Sequence, residues 1–203
     1  MTNPNVGPGE WWLQDGQTPV FAYQPWGADS LAASYANLAN PGVNTLNPQG
    51  GTPVWDADNG WIFTNSDWYL TVGGFPTKAS AGSMFVVADV PGSGTAGYAF
   101  RTNNVISYIL FRNSSGSLFF YNKPNAAFSM SAPAAGVHTF AIANKKCFLD
   151  GQLVHTWGTA PQTDNTMTVA YTGLSTNYKM YAFGMWTTEL TEQQVSDLHD
   201  LWT

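Results

Sequence analysis

The chain has 203 residues, 15% of them aromatic and only 10% charged, with a net charge of −6 and 7 basic residues scattered along its length. A chain of this size can bury a full core without covalent staples, and so many aromatic and β-branched residues exclude a disordered polymer. The lack of a basic stripe excludes a nucleic-acid surface, which must displace counterions from phosphates, and equally an anionic membrane surface.

Residues 1–18 hold Pro4, Gly7, Pro8, Gly9 and Gly16 without periodicity and read as an N-terminal arm, leaving residues 19–203 as one domain. Such an arm needs something to hold it. Trp11 and Trp12 are its natural anchors, either as assembly contacts on a neighbouring subunit or folded back on their own domain. The first residues lack the basic region and apolar core of a signal peptide, so synthesis and folding in a host cytoplasm are expected, wherever the protein works afterwards. No stretch approaches the ~18 apolar residues that span a bilayer.

Residues 29–38 place Leu31, Tyr35 and Leu38 on one side of a short helix, which Asn40-Pro41-Gly42 ends. From Val54 the period becomes that of strands. Residues 61–63 and 68–72, around Asn65-Ser66-Asp67, read as a hairpin. The run 83–88 is continuously apolar, as in a strand buried on both faces. Further strands are expected at 97–101, 105–112, 117–122, 137–144, 145–149, 152–157, 166–171 and 178–187, the spacing of a sandwich or barrel. Asp150-Gly151 lies between two apolar runs and supplies the positive φ angles of a tight hairpin, with Cys147 and Leu149 facing inward. Cys147 is the single cysteine, which excludes an internal disulfide. A closing helix is expected over 191–202, with Thr191 as N-cap, Gln194 completing a capping box and Leu190 stapled to Val195. Val195, Leu198 and Trp202 form its apolar stripe, with Leu201 beside them.

Three segments carry a family resemblance: the strand 136–143 with its His138, the hairpin 146–154 around Asp150-Gly151, and the tail 181–190 before the closing helix. Together they resemble the laminin-G-like branch of the concanavalin A-like lectin/glucanase superfamily. The stretches 22–31, 37–42 and 53–63 are similar to jelly-roll domains of tailed-phage virion proteins. The resemblance implies an all-β, two-sheet antiparallel jelly-roll sandwich with a short C-terminal helix. It further implies a non-enzymatic structural or adhesion component at a virion surface, as capsid decoration or tail module. Its partners would be other virion proteins or copies of itself. The alternative is a carbohydrate-binding lectin domain facing a cell-surface glycan, and a polysaccharide-degrading enzyme ranks last.

The residues weigh these readings. Glycoside hydrolysis needs two carboxylates across the bond, but Glu10, Glu189 and Glu192 are the only glutamates, and the last two flank the helix start. No catalytic residue is assigned. Asp56, Asp58, Asn59 and Gly60 evoke a calcium loop but are one residue short of its spacing, so a turn explains them. His138, His155 and His199 lack metal-ligand spacing, and neither a metal nor a cofactor is expected. Gly92 to Gly97 is a turn, since no helix follows to make a phosphate cradle. The aromatics remain. Sugars present C–H faces that stack on indoles while amides and carboxylates bind their hydroxyls. Of the tryptophans at predicted turns, Trp26, Trp68 and Trp157 are the candidate carbohydrate-binding residues.

Overall fold

A computed structural model describes residues 9–14, 16–64, 69–73, 82–90, 96–102, 107–112, 116–122, 127–159, 166–169 and 178–203. After the N-terminal segment come β1 (Pro19–Tyr23), the one-turn helix α1 (Leu31–Ser34), β2 (Asn47–Gln49), β3 (Val54–Asp56), β4 (Gly60–Phe63) and β5 (Tyr69–Gly73). The middle of the chain forms β6 (Ser83–Val90), β7 (Ala96–Thr102), β8 (Ser107–Arg112), β9 (Ser117–Asn122) and β10 (Phe128–Ser131). Then follow β11 (Gly136–Ala143), β12 (Lys146–Leu149), β13 (Gln152–Thr156), β14 (Thr166–Val169), β15 (Tyr178–Trp186) and the closing helix α2 (Glu192–Asp200).

The strands pair antiparallel in two sheets. The first has eight strands in the order β13-β12-β11-β6-β15-β4-β3, with β1 also on β15; the second has seven, β10-β9-β8-β7-β14-β5-β2. This is the expected two-sheet sandwich. Phe21, Trp61, Val86, Phe120, Phe140, Cys147 and Phe183 belong to its main core. Alternate residues of the first sheet, including Phe85, Val87, Ala141, Phe148 and Trp186, point the other way into a second core that Val195 and Leu198 of α2 cover. The first sheet is therefore buried on both faces. That is why β6 carries no polar alternation along Met84, Phe85, Val86 and Val87. Burial also raises the Cys147 thiol well above the usual range, leaving it a packing group.

Local signals are realised closely. Thr191 caps α2, with Gln194 N donating to Thr191 Oγ1 at 3.1 Å and Thr191 N to Gln194 Oε1 at 2.9 Å. Leu190 and Val195 share the second core, completing the staple, whereas Leu201 is 48% exposed. Asp150 and Gly151 have φ of 50° and 71° and link Leu149 to its partner Gln152, a two-residue turn of the twist that hairpins require. A Cβ on Gly151 would stand 3.1 Å from His199 Cβ. Gly151→Val is expected to destabilise the domain by roughly 1–3 kcal/mol through backbone strain, and an unchanged midpoint in chemical denaturation would refute that.

Three expectations are corrected. Residues 61–63 and 68–72 do not form a hairpin: β4 pairs with β3 and β15 in the first sheet, while β5 pairs with β2 and β14 in the second. The helix expected over 29–38 stops after Ser34, because Asn37 is drawn inward. Asn37 is fully buried, accepting from Ala22 N at 3.0 Å and Ala39 N at 3.1 Å and donating to Val20 O at 3.2 Å. Its amide does the work of a strand edge beside β1, and the helical path cannot continue. The third correction concerns Trp11, which is 1% exposed and lies in the second core of its own domain, not on a neighbour. The outer face of the first sheet offers an apolar surface that α2 alone does not cover, and this ring completes the cover.

Candidate functional site

The described tryptophans divide by burial. Trp157, a predicted sugar contact, is instead a core residue: it is 6% exposed, packs between the sheets and meets His155 edge-on at 5.6 Å. Trp68 lies outside the described residues. Trp26 is half-buried and walls a cleft. Trp12 lines a shallower hollow of about 270 Å³ on the other side of Trp26, with Asp29 and Leu38.

The cleft holds about 380 Å³ and is lined by Trp26, Asp58, Val137, Tyr181, Trp202 and Thr203. That is within the usual volume of small-molecule sites. Its lining comes from five places in the chain. Trp26 follows β1, where Trp26 N donates to Tyr181 O at 3.4 Å, Gly27 N to Ala57 O at 2.8 Å and the Trp55 indole to Pro25 O at 2.8 Å. Tyr181 is the bulge residue of β15: the pairing with β6 shifts register between Met180 and Ala182. A bulge of this kind re-aims a side chain away from the ladder. Trp202 follows α2, with its backbone N–H on His199 O at 2.9 Å. Val137, on β11, is 42% exposed.

The rings form a continuous aromatic wall. The Trp26 centroid stands 5.6 Å from Tyr181 and 5.7 Å from Trp202, tilted by 56° and 39°. Trp202 in turn meets the buried Trp11 edge-on at 5.7 Å, so the wall is rooted in the core. Trp202 is 9% exposed, and its indole N–H has no hydrogen-bond partner among the described residues. A buried donor without a partner is costly. Trp202 itself lines the cleft, while its indole N–H is buried.

The polar group is Asp58, on the β3–β4 turn. Neighbouring Asp56 is consumed by that turn, its Oδ1 accepting from Asp58 N at 2.9 Å, Asn59 N at 2.7 Å and Asn59 Nδ2 at 2.9 Å. Lys179 Nζ donates to Asn59 Oδ1 at 2.6 Å and lies 3.7 Å from Asp89 Oδ2. A self-satisfied turn explains this acidic stretch, as the spacing implied. The Asp58 carboxylate is exposed and makes no hydrogen bond among the described residues. Burial, then the charges of Asp89 and Asp56, push the Tyr181 hydroxyl up to about 12, so it stays a protonated donor.

The histidines are structural contacts. His138 Nδ1 lies 2.8 Å from Asp150 Oδ2 and Nε2 lies 2.9 Å from Ala134 O, so both ring nitrogens face acceptors and none faces a hydroxyl. His199 Nδ1 lies 3.0 Å from the Thr139 hydroxyl, which is buried. His155 stacks on Phe128 at 4.3 Å, joining β13 to β10 across the two sheets.

The architecture has counterparts among solved structures. The receptor-binding domain of botulinum neurotoxin type G superposes with a TM-score of 0.67 at 10% identity, covering 91% of this chain and 51% of that one. The fold is a jelly-roll β-sandwich. A botulinum neurotoxin serotype D ligand-binding domain, solved in complex with N-acetylneuraminic acid, gives 0.66 at 10% identity, covering 90% of this chain and 50% of that one. A mutant Trypanosoma rangeli sialidase displaying trans-sialidase activity gives 0.63 at 8% identity, covering 91% of this chain and 33% of that one. The jelly roll thus spans about half the length of the toxin domains it matches. No protein-family model and no curated protein matches the chain.

Sequence reasoning had singled out Trp26 but missed Tyr181, Trp202 and Asp58 as its neighbours. Trp202 carried a signal for the core stripe of α2 and Asp58 a signal for a turn, and both signals were correct. What lay outside them was that α2, the β3–β4 turn and the β15 bulge converge.

Proposed function

We propose that this jelly roll is a non-catalytic carbohydrate-binding domain, and that the Trp26–Tyr181–Trp202 cleft is its saccharide site. The observation that carries the reading is a continuous aromatic wall facing an unpartnered carboxylate in a cleft of sugar-binding size. A pyranose can lay its C–H face on the Trp26 indole while its hydroxyls donate to Asp58 and accept from the Tyr181 hydroxyl. The serotype D toxin domain, about half of which matches this fold, was solved in complex with N-acetylneuraminic acid, which lends support to a saccharide reading, although scaffold alone does not carry function. Binding without cleavage is supported by Asp58 being the one acid among the described lining residues, with Asp56 tied into its own turn, whereas glycoside hydrolysis takes two carboxylates flanking the bond. A virion adhesion module, the setting implied by the sequence resemblance, would be one use for such a domain. The solved structures named above favour the binding reading over a purely structural one.

The test is a glycan array read alongside intrinsic tryptophan fluorescence. Saccharide binding should appear and should weaken by about tenfold or more in Trp26→Ala, as for a central aromatic contact. The melting temperature of that variant should change little, because Trp26 is only half-buried. Binding that survives Trp26→Ala unchanged would place the site elsewhere, and release of reducing sugar from a bound polysaccharide would end the non-catalytic reading.

A further inference from the structure

Resting on the saccharide site just proposed, we infer that the cleft selects sugars without a carboxylate, neutral or amino-bearing, and discriminates against sialylated and uronic-acid glycans. The chemistry of the lining sets this sign. Among the six described residues that line the cleft, Asp58 is the one charged side chain, and none is a lysine or arginine. The electrostatic surroundings have the same sign, since the negative charges of Asp56 and Asp89 both reach Tyr181 in the wall. The adjoining hollow beyond Trp26 adds Asp29, again with no basic residue among its described lining residues.

The nearby cation does not reverse this. Lys179 holds Asn59 Oδ1 at 2.6 Å and faces Asp89 at 3.7 Å, so its charge is directed into the β3–β4 turn and its neighbour on β6. Recognition of a sugar carboxylate calls for a fork of donors or an ammonium aimed at the ligand. Here the cleft offers the neutral Tyr181 hydroxyl, which suits a hydroxyl or amide oxygen. An amino group, by contrast, would meet both Asp58 and aromatic faces, the arrangement that favours a cation.

The experiment compares neutral, amino-bearing, sialylated and uronic-acid glycans on one array, with fluorescence titration of matched pairs at low and at high salt. Neutral and amino-bearing sugars should lead, each acidic counterpart binding about tenfold more weakly, with the gap narrowing as salt screens the field. Asp58→Lys should close or reverse the gap. Binding led by acidic glycans, or a gap that Asp58→Lys leaves untouched, would overturn the charge selection while leaving the saccharide site in place. A folded chain that binds no glycan of any class would overturn both readings.

Discussion

Trp11→Ala is expected to destabilise the domain by about 3–5 kcal/mol, the usual cost of removing a large buried aromatic whose site cannot collapse. The ring is 1% exposed and packs at 6.0 Å from Phe85, 6.3 Å from Trp186 and 5.7 Å from Trp202. Its six-membered ring lies over Gly184, where an added Cβ would come within 2.9 Å of Trp11 Cη2. The strand β15 thus leaves room for this ring by having no side chain beneath it. Refilling of the hole is opposed on all sides, by α2 and by two strands of a paired sheet. Trp11→Phe should cost much less, since it keeps most of the apolar volume and removes an indole N–H that has no partner among the described residues. Chemical denaturation of the two variants separates the outcomes. If Trp11→Ala unfolds at the wild-type midpoint, the ring is not a core element and the assembly role regains its standing. Deleting residues 1–18 should be at least as damaging as Trp11→Ala, opposite to what a detachable arm would show.

The second large effect is expected at Gly60, where β4 begins. Its φ is +63°, and an added Cβ would sit 2.4 Å from the Met180 carbonyl oxygen and 3.4 Å from Trp26 N. Gly60→Val therefore combines left-handed strain with a collision against the backbone of the neighbouring strand, roughly 3–5 kcal/mol in all. The contrast with Gly151 is instructive. There the nearest atom is His199 Cβ at 3.1 Å, a tight approach short of a collision, so strain dominates. At Gly60 the neighbour is a strand held in a ladder, and relief requires β15 to move with the Tyr181 bulge and the Trp26 backbone. The variant should accordingly lose saccharide affinity together with stability. A Gly60→Val protein that melts as the wild type does and keeps full affinity would show that the β3–β4 turn does not fix the cleft.

How much of this was legible beforehand follows the range of the interactions. The Asp150-Gly151 turn, the Thr191–Gln194 capping box and the two-faced burial of β6 are written within a few residues each. Backbone dihedral preferences and i, i+3 hydrogen bonds decide the first two, and an unbroken apolar run decides the third. The sandwich class followed from the repetition of such signals, and the closing helix from its stripe. The fate of each tryptophan was not legible, because an indole before a turn looks the same whether its ring is core, as in Trp157, or cleft wall, as in Trp26. The hairpin expected at residues 61–72 failed for a related reason: a turn signal says that two strands separate there, not that they rejoin in one sheet.

By itself the sequence determined the β class, the capped helix and the tight hairpin, all matters of composition and short-range geometry. Tertiary structure alone decided the rest. Ser83 Oγ, for example, donates to Thr188 O at 2.9 Å and accepts from Leu190 N at 2.8 Å, fixing the start of β6 to the approach of α2 across 105 residues of chain. Contacts of that separation bring Trp26, Asp58, Tyr181 and Trp202 to one cleft. Which distant strand a segment joins depends on the summed burial of both sheet faces, and no local window of residues contains that sum.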